Sequence, residues 1–133
     1  MSVMIKDFDG WNTKKKKIDS EDEILFFREG EIWWVHLGLN IGYEINGKGE
    51  EYMRPVLILR KYNEYSFLSL PLSTSTKNND YHFSVGMVDG KKAVAILSQL
   101  RNIDSRRLIN KIGHIEQEYF SRIKQKTSQI NFG

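Results

Sequence analysis

The sequence predicts a small, mainly-β protein, a β-barrel closed by one C-terminal helix. Three observations predict it. Aromatic and β-branched runs of strand length recur through the middle of the chain. Gly-, Asn- and Asp-rich turn chemistry separates them, and clear helical spacing of apolar residues is confined to the last segment. At 133 residues there is room for one modest core, and the 40% hydrophobic content is that of a folded chain, not a disordered one.

The elements follow in order. Residues 1–27 read as an N-terminal extension, in which Trp11 to Ile18 is expected to form a short helix that rests Trp11 and Ile18 on the body and leaves Lys14 to Lys17 in solvent. Residues 28–133 form the main domain. Glu31 to Leu37 (EIWWVHL) is aromatic and β-branched and predicts the first strand. A Gly/Asn-rich loop follows from Gly38 to Gly49. Pro55 to Arg60 and Tyr65 to Leu72 predict two further strands, whose lack of clean alternation suits strands buried on both faces. Ser73 to Asp80 is loop chemistry throughout. Tyr81 to Val85 and Ala93 to Leu97 flank the turn pair Asp89-Gly90, and Asn110 to Ile115 predicts a short closing strand. Six or so strands result. Tyr119, Phe120, Ile123, Thr127 and Ile130 then recur at three- and four-residue spacing. Glu116 and Glu118 in the first turn and Lys124 and Lys126 further along match the helix dipole.

Composition excludes several classes. There are no cysteines, which removes disulfides, thiolate nucleophiles and Cys-rich zinc sites. No apolar run approaches the ~18 residues of a membrane span, and the first residues carry acids where a signal peptide needs an apolar stretch. A cytoplasmic protein without cofactor is expected, and metal catalysis is not, since no His/Asp/Glu cluster has ligand spacing. The formal net charge of +3 is mild, but its distribution is uneven. Residues 1–23 carry five lysines against six acids, whereas residues 101–126 carry Arg101, Arg106, Arg107, Lys111, Arg122, Lys124 and Lys126 against Asp104, Glu116 and Glu118. A basic C-terminal third fits a polyanionic partner, and equally fits solvated faces on small elements.

Three motifs, in one order, carry a resemblance. The first is Gly30 to Gly38 (GEIWWVHLG), followed by a loop containing Gly42-Tyr43-Glu44 and Gly47-Lys48. The second is Arg54-Pro55-Val56, leading through Leu70 to Ser75. The third is Gln99-Leu100-Arg101-Asn102-Ile103-Asp104, then Arg107-Leu108 and Lys111-Ile112-Gly113. Together, over about residues 28–130, these resemble the PemK/MazF toxins of type II toxin–antitoxin systems. The resemblance implies an SH3-like barrel of the PemK/MazF/CcdB toxin type, paired as a homodimer. It implies cleavage of single-stranded RNA at short sequences, leaving a cyclic phosphate and a free 5′-hydroxyl. The partner it implies is an antitoxin with an acidic, disordered tail that folds along the toxin and covers the RNA groove.

The resemblance also places the site. Arg54 matches the family's catalytic arginine, and a planar, permanently protonated guanidinium suits a phosphate whose charge builds during attack. Ser73 stands where the family usually has threonine; it keeps the hydroxyl and loses the methyl that restricts its rotamer. Thr74 is the fallback if the loop registers one residue later, and the Ser/Thr run is equally suited to turn capping. Gln99 and Arg101 match the family's QxR pattern, with Arg101 assigned to RNA contact or to an ion pair with Asp104. Trp34 and Lys48 complete the expected RNA-binding set. Trp33 and Trp34 must face opposite ways on a strand, one into the core and the other toward a base, a partner subunit or further core. Ser98 departs from the family pattern, in which an acid is frequent. Of the histidines, His36 is a minor catalytic candidate, while His82 and His114 read as ordinary strand residues, so no general base is assigned. The competing readings are a non-enzymatic, CcdB-like topoisomerase poison and a nucleic-acid-binding module that has lost its chemistry.

Overall fold

The computed structural model describes residues 25–37, 53–74 and 79–133, together with the backbone of Met4–Lys6. The elements are β1 (Met4–Lys6), β2 (Glu31–His36), β3 (Met53–Asn63), β4 (Ser66–Ser73), β5 (His82–Val88), β6 (Lys91–Ile96), β7 (Arg101–Asp104), β8 (Leu108–Ile115) and α1 (Gln117–Phe132), with a 3-10 turn at Ser105–Arg107. The mainly-β class with a late helix is as the sequence predicts. Among the described residues there are eight strands, against the six or so expected.

The ladders are antiparallel, in the order β1-β8-β2-β3-β4-β6-β5. β4 divides its outer edge: Ser66 to Ser69 pair with β7, whereas Leu72 and Ser73 pair with β6. The sheet curls into a half-barrel, and its first and last strands come within 8 Å, Cα to Cα. The expected helix at Trp11 to Ile18 and the loop from Gly38 to Gly49 lie outside the described residues. Two parts of the N-terminal extension do belong to the fold. Met4–Lys6 pairs with β8, and Phe27 is fully buried.

Burial explains the absence of alternation in the strands. Ile32, Leu57, Leu59, Leu70 and Leu72 join one apolar cluster, which Phe120 and Ile123 of α1 also enter. Their strand neighbours Trp33, Val35, Val56, Ile58 and Phe67 join a second cluster with Phe27, Ile103 and Leu108. Successive side chains point to opposite faces, so a strand with an apolar cluster on each face must be apolar at nearly every position. Phe27 seals the second face, its ring centroid 5.1 Å from that of Phe67.

Several polar groups inside this frame are matched. Glu31 is buried, and its carboxylate accepts from the Arg28 amide at 2.8 Å and the Trp33 indole at 2.9 Å, with Lys111 Nζ at 3.1 Å. The β3–β4 turn is held by Asn63, whose Oδ1 accepts from the Tyr65 and Ser66 amides at 2.7 and 3.1 Å. α1 buries Phe120, Ile123 and Thr127 and ends on Gly133 at φ 79°. Asn131 donates to the Leu97 carbonyl at 2.8 Å, tying the end of the helix to the residue after β6.

Candidate active site

The cleft of interest opens where β3 begins and β4 ends. β3 and β4 pair Val56 with Pro71 and Leu57 with Leu70; two residues beyond, the same register sets Arg54 level with Ser73. On its other side, β3 pairs Arg54 with Val35 and Pro55 with Trp34. Residues 34, 54 and 73, far apart in the chain, thus lie on the adjacent strands β2, β3 and β4. They line a cleft of about 260 Å³ with Met53, Pro55, Leu72, Thr74, Val88, Asp89, Lys91 and Ala93.

Arg54 is the dominant group. Only 5% of it is exposed, and its Nη1 donates to the Leu72 carbonyl at 2.9 Å. That bond anchors one arm of the guanidinium to the strand that ends in Ser73. Burial pushes Arg54 down from the ordinary arginine value, the signature of a cation partly stripped of water. An anion entering the cleft relieves that penalty. Ser73 is half-buried and Thr74 exposed, so two hydroxyls stand at the same mouth.

Trp33 and Trp34 divide as strand geometry requires. Trp33 is buried in the second cluster, whereas Trp34 is half-buried, packs against the first cluster and lines the cleft. The other expected contacts lie elsewhere. Arg101 sits on β7 beside Ser69, its carbonyl accepting from Ser69 Oγ at 3.0 Å. Ser69 is four residues before Ser73, or ~13 Å along the strand at ~3.3 Å per residue. Gln99 follows β6 outside the cleft lining, its amide donating to the Ile96 carbonyl at 3.2 Å. Lys48 lies outside the described residues. Asp104 forms its ion pair with Arg106 at 3.0 Å, and those hydrogen bonds hold its carboxyl below the usual carboxylate range.

None of the histidines lines the cleft. His36 is exposed at the end of β2, with its carbonyl accepting from Arg107 Nη1 at 2.9 Å. His82 Nδ1 is buried and without a hydrogen-bond partner among the described residues. His114 pairs with Glu31 on β8. No group of three His, Asp or Glu among the described residues is placed to hold a metal ion, and none of their helices is long and apolar enough to cross a membrane.

Val88, Asp89, Lys91 and Ala93, from the β5–β6 hairpin, also line the cleft and were not singled out as site residues by sequence reasoning. Its only signal there was the Asp89-Gly90 pair, which reads as a turn. The turn is present, with φ 51° at Asp89 and 82° at Gly90, and the same residues border the cleft.

Comparisons with known proteins fit this geometry. A family model described as PemK-like, MazF-like toxin of type II toxin–antitoxin system matches residues 28–130. No curated protein matches the sequence. Among solved structures, a MazF from Deinococcus radiodurans is similar at TM-score 0.64 and 19% identity, over 77% of this chain and 93% of that one. The Mycobacterium tuberculosis toxin MazF-mt6 gives 0.58 and 15%, over 74% and 93%. An endoribonuclease in complex with its cognate antitoxin, from a mycobacterial species, gives 0.58 and 12%, over 79% and 95%. At these identities the structures speak for the fold, and the family match spans most of the chain: the protein belongs to the PemK-like, MazF-like toxin family of type II toxin–antitoxin systems.

Proposed function

We propose that this protein is a cytoplasmic, metal-independent endoribonuclease that cuts single-stranded RNA at short sequences and is held inactive by a cognate antitoxin. The observation that carries this reading is the buried Arg54 guanidinium, anchored on Leu72 and level with Ser73 in one cleft. Attack by a 2′-hydroxyl on the adjacent phosphorus places growing charge on the phosphate oxygens. A fixed, partly desolvated guanidinium stabilises that charge more than water does, because its dipoles need no reorganisation. The Ser73 hydroxyl, with Thr74 next to it, supplies a second donor for the same oxygens. Trp34 gives the cleft an apolar ring suited to a splayed base. The products are a 2′,3′-cyclic phosphate and a 5′-hydroxyl.

The antitoxin would present an acidic, disordered tail, which gains from the cations of the cleft and from apolar burial as it folds. The toxin would act as a homodimer, with RNA crossing the dimer face. Complexes of related toxins with antitoxins support such a partner.

Purified protein incubated with mixed-sequence single-stranded RNA in EDTA, beside an Arg54→Ala control, tests the reading. Cleavage at a short recurring sequence that the control loses is the expected result. Intact RNA with folded protein overturns it. Salt-sensitive RNA binding without cleavage then points to a binding module, and growth arrest that survives Arg54→Ala to a topoisomerase poison.

A further inference from the structure

Attack by a 2′-hydroxyl has a requirement that Arg54 and Ser73 do not meet. The hydroxyl must lose its proton as its oxygen closes on phosphorus. A guanidinium stays protonated near neutral pH. A serine or threonine hydroxyl is no base unless a stronger one activates it, and the three histidines are elsewhere. Among the described residues that line the cleft, Asp89 is the one carboxylate. It stands at the β5–β6 turn and lines the same cleft as Arg54 and Ser73. The backbone there is left-handed, φ 51°, within a two-residue turn between paired Val88 and Lys91. That turn fixes the residue's backbone at the rim, and its exposure allows proton exchange with water.

Building on the proposed RNA cleavage, we propose that Asp89 is the catalytic base. Its carboxylate takes the 2′-hydroxyl proton as the 2′-oxygen–phosphorus bond forms and the phosphorus–5′-oxygen bond breaks. The departing 5′-oxygen takes a proton from water, and Asp89 releases its own to solvent before the next turnover. The charged groups that share the cleft with it are Arg54 from β3 and Lys91 from β6, both cations and both suited to the phosphate.

The turn makes a clean test available. Asn-Gly is as good a pair for this turn as Asp-Gly, so Asp89→Asn removes the base and keeps the backbone. The expected result is a ~10²- to 10⁴-fold fall in kcat/KM on a cleavable single-stranded RNA. Affinity for the same sequence with 2′-deoxy sugars, which cannot be cut, is expected to change by no more than a few-fold. Asp89→Gly, also compatible with the turn, is expected to behave alike, so a folding defect in one variant does not decide the matter. If wild type cuts RNA, Arg54→Ala does not, and both Asp89 variants cut within a few-fold of wild type, the base assignment is overturned and the nuclease reading stands. If wild type cuts no RNA, both are overturned.

Discussion

Arg54 and Ser73 show how strands position two candidate site residues. Arg54 is held by one short bond to the Leu72 carbonyl and by the β2–β3 ladder beside it, so its fork is fixed before any ligand arrives. Removing one preorganised donor from such a site typically costs ~2.7–4 kcal/mol of barrier. Ser73→Ala is therefore expected to lower kcat by ~10²-fold or more with little change in KM, measured by initial rates on a short RNA. Ser73→Thr, which keeps the hydroxyl and adds rotamer restriction, is expected to be at least as active as wild type. Arg54, Ser73 and Thr74 could be named as candidates from local motifs, and all three line the cleft. Asp89 could not: an Asp-Gly pair has a complete explanation as a turn, and nothing in a single sequence says that the turn borders the cleft that holds Arg54. Gln99 and Arg101 belong to a readable motif, yet β7 pairs Arg101 with Ser69, farther along β4 than the cleft.

Elements meet at Gly30. Its φ of 88° lies in the left-handed region, its amide donates to the Ile58 carbonyl at 2.8 Å, and its carbonyl accepts from the Ile115 amide at 2.8 Å. A Cβ there would sit 3.7 Å from the Phe120 ring, an ordinary contact. The cost of Gly30→Ala is thus conformational, ~1–2 kcal/mol, expected as a lower urea midpoint with an unchanged slope. Strands rich in aromatic and β-branched residues were legible. β7 was missed because Arg-Asn-Ile-Asp offers a single apolar residue, and β1 because Met-Ile-Lys lies in a charge-rich lead. β3 runs past the expected end at Arg60 to Asn63, since ladder bonds to Phe67 and Ser66 hold Lys61 and Asn63 despite their polarity.

For the whole molecule, the formal charge of +3 understates the basic C-terminal third. If RNA binds through cations such as Arg54 and Lys91, each phosphate neutralised releases counterions, and log affinity falls linearly with log salt. Lys91→Gln is expected to reduce that slope by ~0.7 for a single strand, measured by fluorescence anisotropy with uncleavable RNA. The curl of the sheet was only partly legible, because β8 enters between β1 and β2 and no local pattern encodes so distant a pairing. That insertion governs the order in which the protein can be made. As the chain leaves the ribosome, β2 can zip to β3 early, but β8, the partner of its other edge, is synthesised long after. Pairings between such distant segments form late. The wall that carries Arg54 adjoins β2, so the frame around that cleft is not complete until β8 has been synthesised.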